Sequence, residues 1–212
     1  MRIISVNVGM PVIKAYGDKQ VTTGGYKQPV ASAMLRFRGF EGDGQADLVN
    51  HGSPDQAALI FEAAHYPGWE ERLGHKLSPG AFSENLTVEG ATESAICVGD
   101  VFRVGDALVQ ATQPRQPCGK LARKLGEPRL VDWVIDAHQG GIYVRVLEEG
   151  RVAPDATFEL VTQHPARISI ATVNDVIYDR VRDRALIQHL ATLPEYSVAG
   201  RQQMAKKLER QE

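Results

Sequence analysis

Cys118, one of two cysteines in the chain, has neighbours that suit a reactive thiol. It lies in the segment Gln113-Pro-Arg-Gln-Pro-Cys-Gly-Lys-Leu121. The two prolines fix their own backbone angles and so restrict the pose of the cysteine. Arg115 and Lys120 add positive charge, which favours the thiolate over the thiol. Because the apolar run 107–112 is typical of a strand, we expect Cys118 just past a strand end, where binding residues tend to collect.

The second cysteine, Cys97, has a different setting. An unpaired cysteine is more often a small buried apolar side chain than a reactive one. Cys97 fits that description, because its immediate neighbours are apolar and the first charge comes at Asp100. We therefore expect Cys97 to fill the core. Two cysteines in such different settings make no disulfide framework, which indicates a reducing compartment and predicts a cytoplasmic protein.

Two more polar side chains are candidates for a site. His51 lies in the turn-rich stretch 42–55, where it could donate to an anion or act as an acid or base. The stretch lacks the terminal glutamate of a calcium loop, so we expect no calcium there. Asn85 can both donate and accept at the edge of a heterocycle. A turn histidine and a turn asparagine are the structural alternatives, and a hydrolase using Cys118 with His51 is a weaker functional one.

The overall composition limits the classes of partner that we expect the protein to bind. The 212 residues are 43% hydrophobic and 24% charged, with a formal net charge of −2. This balance lacks the basic excess that nucleic acids or anionic membranes require, so we expect neither partner. The first apolar run is too short for a signal-peptide core or a membrane span. Dinucleotide fingerprints, P-loops and Cys-x-x-Cys pairs do not occur in the sequence, so it offers no flavin or nicotinamide site of its own.

Short β-type runs bounded by glycine, aspartate and proline recur through residues 1–163. They are 3–8, 30–37, 57–61, 86–88, 101–104, 108–112, 142–147 and 158–161. Helical candidates are few in this part: 62–73, broken by Pro67, and 129–135. The pattern predicts a mainly β, α+β protein, built as a barrel or sandwich with inserted short helices.

The spacing of apolar residues changes after Pro165. It becomes helical and predicts three short helices, so that 1–163 and 164–212 form a β domain and a three-helix appendage. Each helix is near or below the ~12 to 15 residues at which an isolated helix is marginal in water. The helices must therefore pack on one another, on the β domain or on a second subunit, which leaves a homodimer open.

Taken together, these segments resemble the MOSC family, the domain named for the C-terminal part of molybdenum cofactor sulfurase. The resemblance is carried by Gly39-Phe-Glu-Gly-Asp-Gly-Gln-Ala-Asp47, His51-Gly-Ser-Pro-Asp55, Ser83-Glu-Asn-Leu86, Val98-Gly-Asp-Val-Phe102 and the cysteine segment. Their order and spacing extend through nearly all of residues 1–163. The helical tail resembles the appendage of the stand-alone bacterial YiiM type.

The resemblance implies a MOSC-type β-barrel that binds the molybdenum cofactor, in which a pterin dithiolene holds the metal, and that reduces small N-hydroxylated compounds. It makes Cys118 the molybdenum ligand and, together with His51, a catalytic residue. The residues that it implies for cofactor binding are Lys27, His51, Asn85, Gln113, Arg115, Lys120 and Arg145. Among these, the cations would hold the pterin phosphate and the others the pterin ring or metal oxo groups. Electrons would come from a separate reductase.

The chain departs from the usual family pattern at several positions. Gly119 follows the cysteine where an aromatic residue is usual, Ser53 and Ser83 replace glycines, and Gly141-Ile142 stands where Gly-Trp is common. These departures concern the substrate range more than cofactor binding. Two other functions stay open: a sulfur carrier with a persulfide on Cys118 and no turnover, and an interaction module that docks through its helical tail.

Overall fold

The computed structural model describes residues 1–17, 19–48 and 52–210. The strands in these ranges are β1 Arg2–Val8, β2 Val12–Tyr16, β3 Lys19–Thr23, β4 Gln28–Val30, β5 Ala33–Arg36, β6 Gly39–Phe40, β7 Ala58–Glu62, β8 Leu86–Glu89, β9 Val101–Val104, β10 Ala107–Pro114, β11 Ile142–Glu148, β12 Gly150–Val152 and β13 Phe158–Thr162. The α-helices are α1 Tyr66–Leu73, α2 Gly119–Leu125, α3 Leu130–Asp136, α4 Ile170–Ile177, α5 Arg184–Thr192 and α6 Val198–Glu209. Short 3-10 turns cover Pro54–Gln56 and Ala63–His65.

The α+β class predicted from the sequence is confirmed, but the large sheet is not closed as a barrel. Its eight strands follow the order β13-β9-β10-β11-β7-β8-β1-β4. β4 pairs with β1 from Val6 to Val8 and so occupies the edge that closure would need. β13 comes near β1 through the bridge between Arg2 and Thr157, and the amide of Asp155 donates to the carbonyl of Ile3 at 2.9 Å. The sheet thus curls towards closure without a continuous ladder.

Most of the buried apolar residues form one core between the large sheet and the C-terminal helices. Strand alternation sends Phe102, Val109 and Val144 into this core. Helices α4 to α6 cover the same core with Val173, Leu190 and Met204 among others, and Tyr196 adds to it from the segment between α5 and α6. The core is therefore continuous across the predicted boundary at residue 163, and the division into two domains stays a prediction.

A second apolar cluster lies beneath helices α1 to α3. Phe61 from β7 stacks on Phe82 with ring centroids 4.3 Å apart, and Leu121 of α2 is buried in the same cluster. The sequence predicted a helix over 62–73 broken by Pro67, and the structure divides this stretch into the 3-10 turn Ala63–His65 and α1, which begins one residue before Pro67. Pro67 lies in the first turn of α1, where its missing N–H has no helical partner to lose.

The helices of the structure are short. Within residues 1–17, 19–48 and 52–210, no helix is long and apolar enough to cross a membrane. The longest in that part of the chain is α6, which begins after the N-cap Ser197 and has Gly200 as its third residue. Helix α1 likewise has a glycine, Gly68, as its third residue.

These two glycines give a matched test of how α6 packs. A Cβ on Gly200 would overlap the fully buried ring of Tyr196, whereas a Cβ on Gly68 would meet no atom within 4 Å. We expect Gly200→Ala to destabilise the protein by about 1–3 kcal/mol, because the ring has no room to move. We expect Gly68→Ala to stabilise it by about 0.5–1 kcal/mol, because alanine lowers the entropy cost of the helix.

Urea unfolding followed by circular dichroism measures both effects. Gly68→Ala is the control, since the same change is made at the same helical position. Equal midpoints for the two variants would contradict the packing of α6 on Tyr196 described above.

Candidate functional site

Cys118 lies where strand β10 ends and helix α2 begins. It is the N-cap residue of α2, with an extended backbone at φ −130° and ψ 165°. The loop before it is fixed by a hydrogen bond from the amide of Arg115 to the carbonyl of Gly141, at 2.9 Å. The thiol of Cys118 is half-buried, whereas Cys97 is buried as expected for a core residue. The position just past a strand end agrees with the sequence.

A pocket with a volume of about 110 Å³ opens beside Cys118. Its lining combines small residues of two loops with a group of polar side chains. Five of the residues predicted from the sequence line it together: Lys27, Asn85, Arg115, Cys118 and Lys120. Lys124 and Tyr143, which the sequence did not suggest as site residues, also line the pocket.

Lys27 and Asn85 are held at the base of the pocket by Asp43. The Lys27 ammonium makes a short contact with the carboxylate of Asp43, and both side chains are almost fully buried. Asn85 Nδ2 donates to Asp43 Oδ2 at 2.9 Å, and Asn85 Oδ1 accepts from the amide of Leu59 at 3.1 Å. Burial lowers the pKa of Lys27, and the charge of Asp43 opposes that shift. Lys27 is thus largely committed to a partner within the protein.

Arg115 is a cation of the pocket whose Nη1 has no such partner among the described residues. Its side chain is only 7% exposed, yet in the part of the chain that the structure describes Nη1 has no hydrogen-bond acceptor. A guanidinium stays charged when buried and favours planar, two-point contacts with anions such as phosphate. A buried charge without compensation is costly. Arg115 therefore indicates that an anionic ligand belongs in the pocket.

Lys124 adds a half-buried cation near Arg115. Its Nζ donates to the carbonyls of Gly25 and Gly80, both at 2.7 Å. Burial lowers the pKa of Lys124 to about 8, with Glu84 opposing the shift and the charge of Arg115 adding to it. An ammonium has three donors, so one is left for a ligand.

A sequence signal for Lys124 does exist. Lys120 and Lys124 are four residues apart, which places both on one face of a helix. The two lysines share a face only if residues 119–125 form a helix, and this helix was not predicted from the sequence.

Tyr143 forms another part of the pocket wall. It lies on β11 directly opposite Gln113 of β10, and the pocket opens in front of its ring. Burial raises the pKa of the phenol; the charge of Arg115 lowers it, and that of Cys118 raises it. Tyr143 is thus close enough to both side chains to feel their charge.

Two of the remaining predicted site residues, Gln113 and Arg145, lie elsewhere. Gln113 Oε1 accepts from the hydroxyl of Ser197, the N-cap of α6, in a short contact. Arg145 forms an ion pair with Asp55 at 2.9 Å and donates to the carbonyl of Glu195 at 3.1 Å. Both side chains therefore contact the C-terminal segment rather than the pocket. His51 lies outside the described residues, and its role stays a prediction.

The donor set limits what the pocket could hold. Among the described residues, no group of three or more His, Cys, Asp or Glu side chains could hold a metal ion. A soft metal bound at Cys118 would thus need ligands that come with it, as in a cofactor that carries its own sulfur atoms. The cations Arg115, Lys120 and Lys124 would suit a phosphate on the same cofactor. The residues present fit such a group.

Comparisons with known proteins agree with this arrangement. The MOSC domain family matches residues 47–159. The protein YflK of Bacillus subtilis is 46% identical over 209 residues, which cover 98% of this chain and 95% of that protein. A crystal structure of YiiM from Geobacillus stearothermophilus superimposes with a TM-score of 0.82 at 36% identity, over 98% of each chain.

A more distant relative bears the name of an activity. A protein of Gibberella moniliformis named "Reductase" is 29% identical over 182 residues, which cover 82% of this chain and 32% of that protein. On the family match and on the identity to YflK over nearly the whole length of both proteins, the chain belongs to the MOSC domain family.

Proposed function

We propose that this protein binds the molybdenum cofactor in the Cys118 pocket and reduces N-hydroxylated bases or related N-oxygenated compounds. One observation carries the proposal: half-buried Cys118 lines the same pocket as buried Arg115, whose Nη1 has no acceptor among the described residues. The family and the name of the fungal relative support a reductase linked to this cofactor.

The basic residues of the pocket would have different roles in binding the cofactor. Arg115 offers a free Nη1 and Lys124 a third ammonium donor, so these two are the main candidates for the phosphate. Lys120, one turn before Lys124 on α2, adds a third charge at the pocket wall. Lys27 is neutralised by Asp43 and would instead keep Asn85 oriented towards the pterin ring.

Cys118 would supply the protein ligand to the metal. When bound, the cofactor supplies two-electron redox chemistry at a metal that can take up oxygen. The net reaction is R–NHOH + 2 H⁺ + 2 e⁻ → R–NH₂ + H₂O. The chain contains no sequence motif for a flavin or nicotinamide, so the electrons would come from a separate reductase.

The first prediction concerns the metal. Protein from a host that makes the cofactor should contain near-stoichiometric molybdenum and release pterin fluorescence on oxidation. Cys118→Ala should lose most of the molybdenum and all turnover with a reduced viologen as donor, because the protein ligand is gone. Cys97→Ala is the matched control and should keep both, since Cys97 lies in the core. Elemental analysis and a viologen assay with an N-hydroxylated base measure the outcome.

Two results would go against the proposal. Full molybdenum in Cys118→Ala would show that the thiol is not a ligand. Absence of molybdenum and pterin from the wild type, together with cyanide-labile sulfur on Cys118, would favour a persulfide carrier.

The second prediction concerns pH. Lys124 has a pKa of about 8, so it is charged below that pH and neutral above it. The affinity of the cofactor-free protein for pyrophosphate should therefore fall about 10-fold as the pH rises from 7 to 9, because one charge-assisted hydrogen bond is lost. Lys124→Met should bind more weakly at pH 7 and show a nearly flat profile. Isothermal titration calorimetry measures these affinities.

Lys206→Met serves as the control, because Lys206 is exposed on α6, and it should retain the wild-type profile. If Lys124→Met instead lost pyrophosphate affinity by the same factor at every pH, with the pH dependence of the wild type preserved, the role of Lys124 would be limited to supporting the loops around Gly25 and Gly80.

A further inference from the structure

The lining of the Cys118 pocket contains a phenol, Tyr143, that has no role in the proposed binding of the cofactor. Along β11, Ile142 and Val144 are fully buried in the core, so alternation sends Tyr143 to the other face of the strand. Tyr143 pairs with Gln113, two residues before Arg115, and lines the pocket that contains Cys118. The fold thus places a tyrosine in the lining of the cavity that contains Cys118.

The hydroxyl of Tyr143 is free to bind a ligand. Unlike Tyr66, whose hydroxyl donates to Glu84, and Tyr16, whose hydroxyl pairs with that of Tyr26, Tyr143 makes no side-chain hydrogen bond to the described residues. Tyr143 is half-buried and lines the pocket. A ligand in the pocket could therefore accept a hydrogen bond from its hydroxyl.

Three other polar side chains of the pocket, Asn85, Arg115 and Lys124, are less available to a neutral substrate. Asn85 already bonds Leu59, Asp43 and Asn7 within the protein. Arg115 and Lys124 are cations that suit a phosphate. Tyr143, by contrast, is a neutral donor, and because burial raises its pKa it keeps its proton at all physiological pH values.

We propose that the Tyr143 hydroxyl binds the oxygen of the substrate's N–O group by donating a hydrogen bond to it. The assignment rests on the proposed function. The acceptor of this hydrogen bond would be an oxygen bonded to nitrogen in the substrate. This oxygen would have to reach the part of the pocket near Cys118. Negative charge develops on this oxygen as the N–O bond breaks, so the hydrogen bond is stronger in the transition state than in the bound substrate.

The test compares Tyr143→Phe with Tyr178→Phe, a half-buried phenol on another element and outside the pocket lining. Both variants are purified from a cofactor-producing host. Three quantities are measured: molybdenum per chain, the dissociation constant of an N-hydroxylated purine from the oxidised protein, and kcat with reduced viologen. Tyr143→Phe should keep wild-type molybdenum, bind the purine about 5- to 10-fold more weakly and lose about 10- to 100-fold in kcat.

The control variant should match the wild type in all three quantities. Wild-type binding and kcat in Tyr143→Phe would overturn the assignment. Loss of molybdenum in that variant would also overturn it, because Tyr143 would then hold the cofactor rather than the substrate. A wild type that contains no molybdenum and has no turnover would overturn the proposed function itself, and the assignment with it.

Discussion

The buried guanidinium of Arg115 imposes the main physical constraint on this molecule. A charge removed from water must be offset by an opposite charge or by hydrogen bonds. Its two cationic neighbours are offset within the chain, Lys27 by Asp43 and Lys124 by two backbone carbonyls. Arg115 Nη1 has no such acceptor among the described residues. An anionic ligand would supply it, and would stabilise the folded state by binding only to that state.

The fold explains how the pocket keeps its cations together. Strand β10 delivers Arg115 and Cys118 to the pocket, and β11 beside it delivers Tyr143 in fixed register. The apolar cluster under α2 buries Leu121 and thereby orients the helix that carries Lys120 and Lys124. From the other side, α6 contacts the cysteine loop through Gln203, whose amide oxygen accepts from Gln116 at 3.2 Å. The C-terminal helices thus support the loop that holds the thiol.

The sequence predicted those features that depend on residues close together in the chain. Alternation located most strands of the large sheet, and the neighbours of Cys118 distinguished it from Cys97. The equally short α3, which was predicted, is mostly apolar, whereas helix α2 was missed because three of its seven residues are cations. Without that helix, the shared face of Lys120 and Lys124 could not be seen.

Other features depend on contacts between distant parts of the chain. Arg145 is a cation on the same face of β11 as Tyr143, but Asp55, ninety positions earlier, pairs with it. The open edge of the sheet depends on β4 pairing with β1, which a short strand does not reveal. The role of Tyr143 follows from the register of β11 against β10, and a sequence alone leaves that register undetermined.

X-ray absorption at the molybdenum edge tests the central claim most directly, since it counts the sulfur atoms bound to the metal in the loaded wild-type protein. The account predicts one sulfur beyond the pair that the pterin dithiolene supplies, contributed by Cys118. A spectrum with the dithiolene pair alone would contradict it, because the metal would then be held without the thiol on which the proposed function depends.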